Sequence, residues 1–214
     1  MRKTFSIAAA LVALVGLNSL AFAGDAHGHD DHMHAEVGKT APNFTLKDVD
    51  GNEHKLSDLK GKVVVLEWTN HLCPFVVRHQ KQKHTMQDTY SMFKDEEVVW
   101  FAVDSTRPDY QGGYDAKGIQ EWTAQDDVKL PYPVLRDEQG KVGHTYGAKT
   151  TPHMFVIDKD GTLVYSGAID DDPSGSKSDT TNYVASAIKA ALNGKTVEVA
   201  STKPYGCSVK YQGK

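Results

Sequence analysis

The chain has 214 residues, with 24 Lys+Arg against 28 Asp+Glu, ten His and a formal charge of −4. That balance argues against a nucleic-acid partner, and the length suits one domain with a sizeable core plus short extensions. There are only two cysteines, Cys73 and Cys207, and nothing in the sequence repeats.

The first 23 residues read as an export signal. Arg2 and Lys3 form a basic start, Ile7 to Leu20 is a mostly apolar stretch too short for a membrane span, and Ala21-Phe22-Ala23 is a small-residue cleavage site. Cleavage after Ala23 leaves 22 basic against 28 acidic residues in a protein of the periplasm or the medium, where disulfides persist and no membrane contact is expected. Residues 24–36, GDAHGHDDHMHAE, have almost no apolar content and are expected to be disordered. His27, His29, His32 and His34 lie here, and a His-rich tract can bind Cu, Zn or Ni weakly; a plain solvated linker is the other reading.

The folded domain is expected over residues 37–194. Asn43 to Asp48 and Glu53 to Leu56 flank Asp50-Gly51, a hairpin signal. Val63-Val64-Val65-Leu66 is the continuous apolar run of a strand covered on both faces. It leads through Thr69-Asn70-His71 to Cys73-Pro74, after which a helical pattern extends to about Lys94, with Val76, Val77, Met86, Tyr90 and Phe93 on its inner face. Proline is tolerated in a first helical turn, so Cys73 falls at a helix start, where the macrodipole favours a thiolate. His71 is a candidate to lower the thiol pKa as an imidazolium or to shuttle a proton as a neutral ring; alternatively it points to solvent. The basic run Arg78, His79, Lys81, Lys83 and His84 reads as a solvated helix face; alternatively Arg78 or His79 lies near Cys73 and favours its thiolate.

Glu97 to Asp104 is a second buried strand, Ser105 to Gly118 a loop, Ile119 to Val128 a short helix and Pro133 to Asp137 a short strand. A short helix over Gln139 to Tyr146 precedes Thr151-Pro152. A hairpin then joins Met154–Asp158 to Leu163–Ser166 across Asp160-Gly161, and Tyr183 to Leu192 is the last helix, stopped by Asn193-Gly194. The acidic loop of residues 167–180 lacks the ligand spacing of a calcium loop. Residues 195–214 form a tail carrying Cys207. Two cysteines in an oxidising compartment invite pairing, which needs Cα atoms within roughly 7 Å.

The strand, the turn, Trp68 ahead of Cys73-Pro74, the following helix and Thr151-Pro152 before a strand together resemble the active site of the thioredoxin superfamily. More narrowly, Asn70-His71, Cys73-Pro74-Phe75-Val76 and Tyr205-Gly206-Cys207-Ser208-Val209-Lys210 resemble secreted bacterial redoxin-domain, peroxiredoxin-like (AhpC/TSA-like) proteins, from about Val37 onward. The resemblance implies an α/β thioredoxin-like fold: a central mixed sheet flanked by helices, with an N-terminal hairpin extension and a C-terminal tail. It also implies a cis Pro152 packed beside Cys73. The departures are specific. Val76 stands where a Cys-x-x-Cys pair has its second cysteine, and where the peroxidatic cysteine of peroxiredoxins aligns. The Pro-x-x-x-Thr-x-x-Cys signature is absent, since Thr69 lies four residues before Cys73 and Val65 takes the proline position.

The resemblance implies two functions, the residues themselves suggest a third, and a non-enzymatic binding protein with an inert Cys73 is a further alternative. The first is a thiol–disulfide oxidoreductase acting on protein thiols and disulfides. Cys73 is its nucleophile, Cys207 a resolving cysteine, and Thr69, Asn70, His71, Pro74, Thr151 and Pro152 the supporting residues, with no cofactor. The second is a thiol peroxidase that reduces hydroperoxides at Cys73. The third is a copper- or zinc-binding protein using Cys73 with His71 or His153 and the His-rich segment; the Cys-x-x-x-Cys of thioredoxin-fold copper chaperones is broken here by Val77.

Overall fold

A computed structural model describes residues 34–110 and 115–212. The expectations for the export signal and for His27, His29 and His32 fall outside the described residues; His34 is the first residue within them.

The sheet grows outward from the apolar run. β3 (Val63–Trp68) is buried at every position, as a strand covered on both faces must be. It pairs in parallel with β4 (Val98–Asp104) and antiparallel with β7 (His153–Ile157), with Trp68 opposite Val103 and His153. β5 (Val134–Arg136) extends the sheet beside β4, and β8 (Leu163–Gly167) beside β7. The expected hairpin, β1 (Thr45–Asp48) with β2 (Glu53–Lys55), adds the other edge, giving the order β2-β1-β5-β4-β3-β7-β8.

Successive side chains of β3 enter two different cores. Val63 and Val65 face Met86, Trp100, Met154, Val184 and Ile188, beneath α2 (Thr85–Phe93) and α5 (Tyr183–Leu192). Val64, Leu66 and Trp68 face Phe101, Val103, Leu135, Tyr146 and Phe155, beside α4 (Lys141–Tyr146). α5 has the expected limits and is capped by Asn182, whose side chain accepts from the Ala185 N–H.

Two helices depart from the expected bounds. α3 covers Ala116–Thr123 rather than Ile119 to Val128, because Asp115 caps it by accepting from the Gly118 N–H. The helix after Pro74 is not continuous: α1 (Pro74–Val77) passes into a π-helical stretch, Arg78–Gln82, and the chain breaks at His84 (φ 52°) before α2. The wide turn aims Gln80 inward, so His79 and Gln80 are buried and the stretch is not the solvated face its charges suggested.

Gln80 turns inward to meet Glu67, a carboxyl fully buried in β3. Glu67 accepts from Gln80 Nε2 at 2.7 Å, Tyr132 Oη at 2.8 Å and Trp100 Nε1 at 3.2 Å. Burial pushes its pKa up, against the pull of those three donors. Folding therefore favours the protonated acid; this contribution is full below the ordinary carboxylate pKa and is lost as pH rises through the raised value.

Glu67→Ala strands three buried donors and is expected to cost about 3 kcal/mol in chemical denaturation near neutral pH. Glu67→Gln is expected to flatten the fall of stability with rising pH. A Glu67→Ala variant as stable as the parent would show that the three donors find other partners.

Candidate active site

The chain between β3 and α1 is shaped by Asn70. Its side-chain oxygen accepts from the Leu72 N–H at 2.9 Å, its backbone carbonyl accepts from the Cys73 N–H at 2.9 Å, and its amide donates to Thr106 Oγ1 at 2.7 Å. Thr69 is buried, and its hydroxyl accepts from Gln80 Nε2 at 3.3 Å. The turn thus delivers Cys73 to the N-cap of α1 in an extended conformation, with Pro74 in the first turn.

Thr151-Pro152 lies on the other side of the sulfur. The peptide bond between them is cis, and Cys73 Sγ sits 2.9 Å from the Thr151 carbonyl oxygen. Thr150 and Thr151 form the two-residue strand β6, which pairs antiparallel with β9 (Cys207–Ser208) from the tail. In this register Thr151 faces Cys207, so the tail returns the second cysteine to the first. Both cysteines are free thiols, and they lie near enough for each to shift the pKa of the other.

Their environments differ. Cys73 is 3% exposed, while Cys207 is half-buried. Burial alone raises a thiol pKa. At Cys73 it is outweighed by hydrogen bonds from the Cys207 thiol, the Thr151 side chain and the backbone N–H groups of Val76 and Cys207, so the net shift is downward. Cys207 moves the other way, to about 11, through burial and through its role as donor to Cys73. The two shifts run in opposite directions, so Cys73 is the more acidic of the two thiols.

His71 does not supply that charge. It is buried against Trp122, with ring centroids 5.8 Å apart, and burial together with the Arg136 guanidinium brings its pKa down to about 4. At neutral pH it is an uncharged ring, so both the imidazolium role and the solvent-facing alternative are corrected. His153 is likewise held neutral, at about 3, by burial and Lys149; its Nδ1 accepts from the Lys149 N–H and its Nε2 lies 3.3 Å from Ser166 Oγ. Among the described residues no group of three or more His, Cys, Asp or Glu could hold a metal ion, and His27, His29 and His32 of the expected copper or zinc site lie outside those residues.

Two residues that build the site carry no chemical signal in the sequence. Gly206 (φ 143°) lies so close to β6 that a Cβ would sit 2.1 Å from the Thr151 carbonyl oxygen. Tyr205 lodges its ring near Phe75 and His79, at centroid distances of 6.0 and 5.9 Å. A glycine before a cysteine is a sign of close backbone approach only once the facing strand is known.

Gly206→Ala is expected to push β9 off β6 and deprive Cys73 of its Cys207 donors. The alkylation midpoint of Cys73 then moves to higher pH, with a loss of about 1–3 kcal/mol in stability. An unchanged midpoint would show that the approach of Gly206 is not what seats Cys207.

The family model for the AhpC/TSA family matches residues 37–166. A curated relative, the thiol-disulfide oxidoreductase ResA of Bacillus thuringiensis subsp. konkukian (strain 97-27), is 33% identical over 129 residues, covering 60% of this chain and 68% of its own. An uncharacterized conserved protein from Geobacillus kaustophilus superposes with a TM-score of 0.73 at 28% identity, over 84% of this chain and 94% of that one. A hypothetical protein from Sinorhizobium meliloti 1021 gives 0.72 at 25% identity, over 84% and 96%. The mixed sheet flanked by helices is thioredoxin-like, and the chain belongs to the AhpC/TSA family of redoxin-domain proteins within the thioredoxin superfamily.

Proposed function

We propose that the protein is an exported thiol–disulfide oxidoreductase in which Cys73 and Cys207 form one redox pair. The observation that carries this reading is the register of β6 with β9, which sets Cys207 opposite Thr151, the residue whose carbonyl oxygen lies 2.9 Å from Cys73 Sγ. Val76 cannot serve as the second thiol, and the tail supplies one from 134 residues further along the chain (207 − 73).

In the reductive direction the Cys73 thiolate attacks one sulfur of a partner's disulfide. That bond breaks, and the partner's other sulfur leaves as a thiolate. Cys207 loses its proton and attacks Cys73 Sγ in the mixed disulfide. The partner's second thiolate leaves, and a Cys73–Cys207 disulfide remains. The pair has given two electrons to the partner, and an external dithiol returns them. Leu72, 46% exposed, and the exposed ring of Pro74 flank the buried sulfur and offer an apolar rim to an incoming chain. The resemblance of residues 1–23 to an export signal supports action in an oxidising compartment, and among the described residues no helix is long and apolar enough to cross a membrane.

Non-reducing peptide mapping of the purified mature protein is expected to yield a Cys73–Cys207 peptide after mild oxidation and two free thiols after reduction. Cys207→Ser is expected to accumulate mixed disulfides at Cys73, and Cys73→Ser to abolish exchange. Two thiols that stay free under oxidant would remove this mechanism. Consumption of hydroperoxide at Cys73, with no exchange toward protein disulfides, would instead make the protein a peroxidase working through a sulfenic acid.

Alkylation of Cys73 followed against pH is expected to reach half its plateau below the ordinary thiol value of about 8.5. In Cys207→Ala the midpoint moves upward, because burial is then opposed by fewer donors. A midpoint unmoved by Cys207→Ala would show that the tail cysteine does not stabilise the thiolate.

A further inference from the structure

Cys207 lies only two residues beyond a side chain bound to the active-site helix. Tyr205 reaches across from the tail, and its hydroxyl lies 3.0 Å from His79 Nε2. The same hydroxyl donates to Asp170 Oδ1 in a very short hydrogen bond. His79 belongs to the π-helical stretch that continues from α1, six residues after Cys73, and is 1% exposed. Asp170 follows β8 and is itself buried, also accepting from the Asp172 N–H at 3.0 Å.

The donors and acceptors run in one direction. The Tyr205 O–H is given to Asp170, so its lone pair accepts from His79 Nε2–H. His79 Nδ1 is then the acceptor on the other side of the ring, 3.2 Å from the Thr85 hydroxyl. This order is satisfied in full by a neutral imidazole that carries its proton on Nε2 and by an Asp170 oxygen that accepts. Burial, with Arg78 and Lys83 nearby, lowers the pKa of His79 against the opposing pull of Asp170 and Asp172. The tyrosine, held between these groups, has its pKa pushed well up by burial and the hydrogen bond to Asp170. The Tyr205 hydroxyl, half-buried, is thus held from two sides, by Asp170 as acceptor and by His79 as donor.

The tail is therefore fixed on both sides of its cysteine, in different ways. Beyond Cys207, the Tyr211 hydroxyl donates to the Ala148 carbonyl at 2.8 Å, and its ring fills the space beside Gly140 and Gly143. Ahead of it, Tyr205 is bound to the segment that carries Cys73. Only the second attachment ties the position of one sulfur to the element that presents the other.

We propose that Tyr205, held by His79 and Asp170, is a clasp that seats Cys207 over Cys73 and controls access to that buried sulfur. Tyr205 is a positioning residue: it acts through Cys207 and touches neither sulfur in the exchange. The inference rests on the redox-pair reading above. Closed, the clasp brings the Cys207 thiol to Cys73 and covers it. Open, it exposes Cys73 to a partner and takes away the second thiol. Partner entry and release then alternate at this hydroxyl, between two positions of one tail.

The test compares Tyr205→Phe with Tyr211→Phe in the full mature protein. Both lose one hydrogen-bonded tail hydroxyl, and only the first loses the attachment to the Cys73 helix. Three readouts are taken: the rate of Cys73–Cys207 disulfide formation under a fixed glutathione redox buffer, the rate of Cys73 alkylation by a bulky maleimide, and the pH midpoint of that alkylation. Tyr205→Phe is expected to slow pairing about tenfold, speed alkylation by a similar factor and raise the midpoint, while thermal unfolding stays cooperative. Tyr211→Phe is expected to change each much less. A global loss of stability would speed alkylation equally in both variants, so equal effects overturn the clasp, as do parent-like values in Tyr205→Phe. If the parent itself forms no Cys73–Cys207 disulfide, the redox-pair reading fails. If the parent pairs and Tyr205→Phe pairs just as fast, only the clasp fails.

Discussion

The backbone of Gly206 lies against the Thr151 carbonyl, and the site depends on that approach. It aligns β9 with β6, turns the Cys207 N–H and thiol toward Cys73, and closes the tail over the cis-proline segment. Each partner in the contact comes from a different part of the fold. Thr151 precedes β7, a core strand buried at every position, while Gly206 arrives from a tail with no regular structure of its own before β9. A rigid sheet supplies the reference surface, and a single missing Cβ lets the tail reach it.

The charge state of Cys73 is settled by competition. Burial would hold the sulfur protonated, and the short α1 is a weak source of dipole. Directed donors reverse the balance, and one of them is the second cysteine. The two thiols are therefore coupled: stabilising the anion at Cys73 makes the proton at Cys207 harder to remove. The charge is consistent with a neutral His71, because an imidazolium beneath the turn would have to coexist with Arg136. Asp104 lies near that arginine, but its carboxyl is itself shifted toward the neutral acid by burial.

Much of this architecture can be read from residue order. The run Val63 to Leu66 needs cover on both sides and has it; Asp50-Gly51 makes the hairpin, and Asn193-Gly194 stops α5. The parts that escape are decided by tertiary contact. Arg78 to His84 has the composition of a solvated face, yet a π turn rotates His79 and Gln80 inward because Glu67 and Tyr205 offer them buried partners. α3 begins early because of the Asp115 cap, which local composition does not separate from a loop aspartate. His71 looks chemically active by its place beside Cys73-Pro74, but burial beside an arginine removes its charge. The resemblance of Tyr205 to Lys210 to redoxin-domain tails marked the stretch without assigning a task to its tyrosine.

The unequal sulfurs also give the exchange a direction. Thiolate attack on a disulfide favours the better leaving group, which is the sulfur whose thiol has the lower pKa. In a Cys73–Cys207 disulfide that leaving group is Cys73: the Cys207 S–H is then gone, but the Thr151 side chain and the backbone N–H groups of Val76 and Cys207 stay in place to stabilise the departing anion. A reductant therefore gains most by attacking Cys207, which is also the more exposed of the two. Attack there frees Cys73 as a thiolate, ready for the next partner disulfide. The same asymmetry disfavours attack at Cys73, which would expel the less stable Cys207 thiolate and would require entry past the tail. On the proposed redox-pair reading, electrons enter at the tail cysteine and leave from the buried one, an order set by burial and hydrogen bonding rather than by the spacing of the cysteines along the chain.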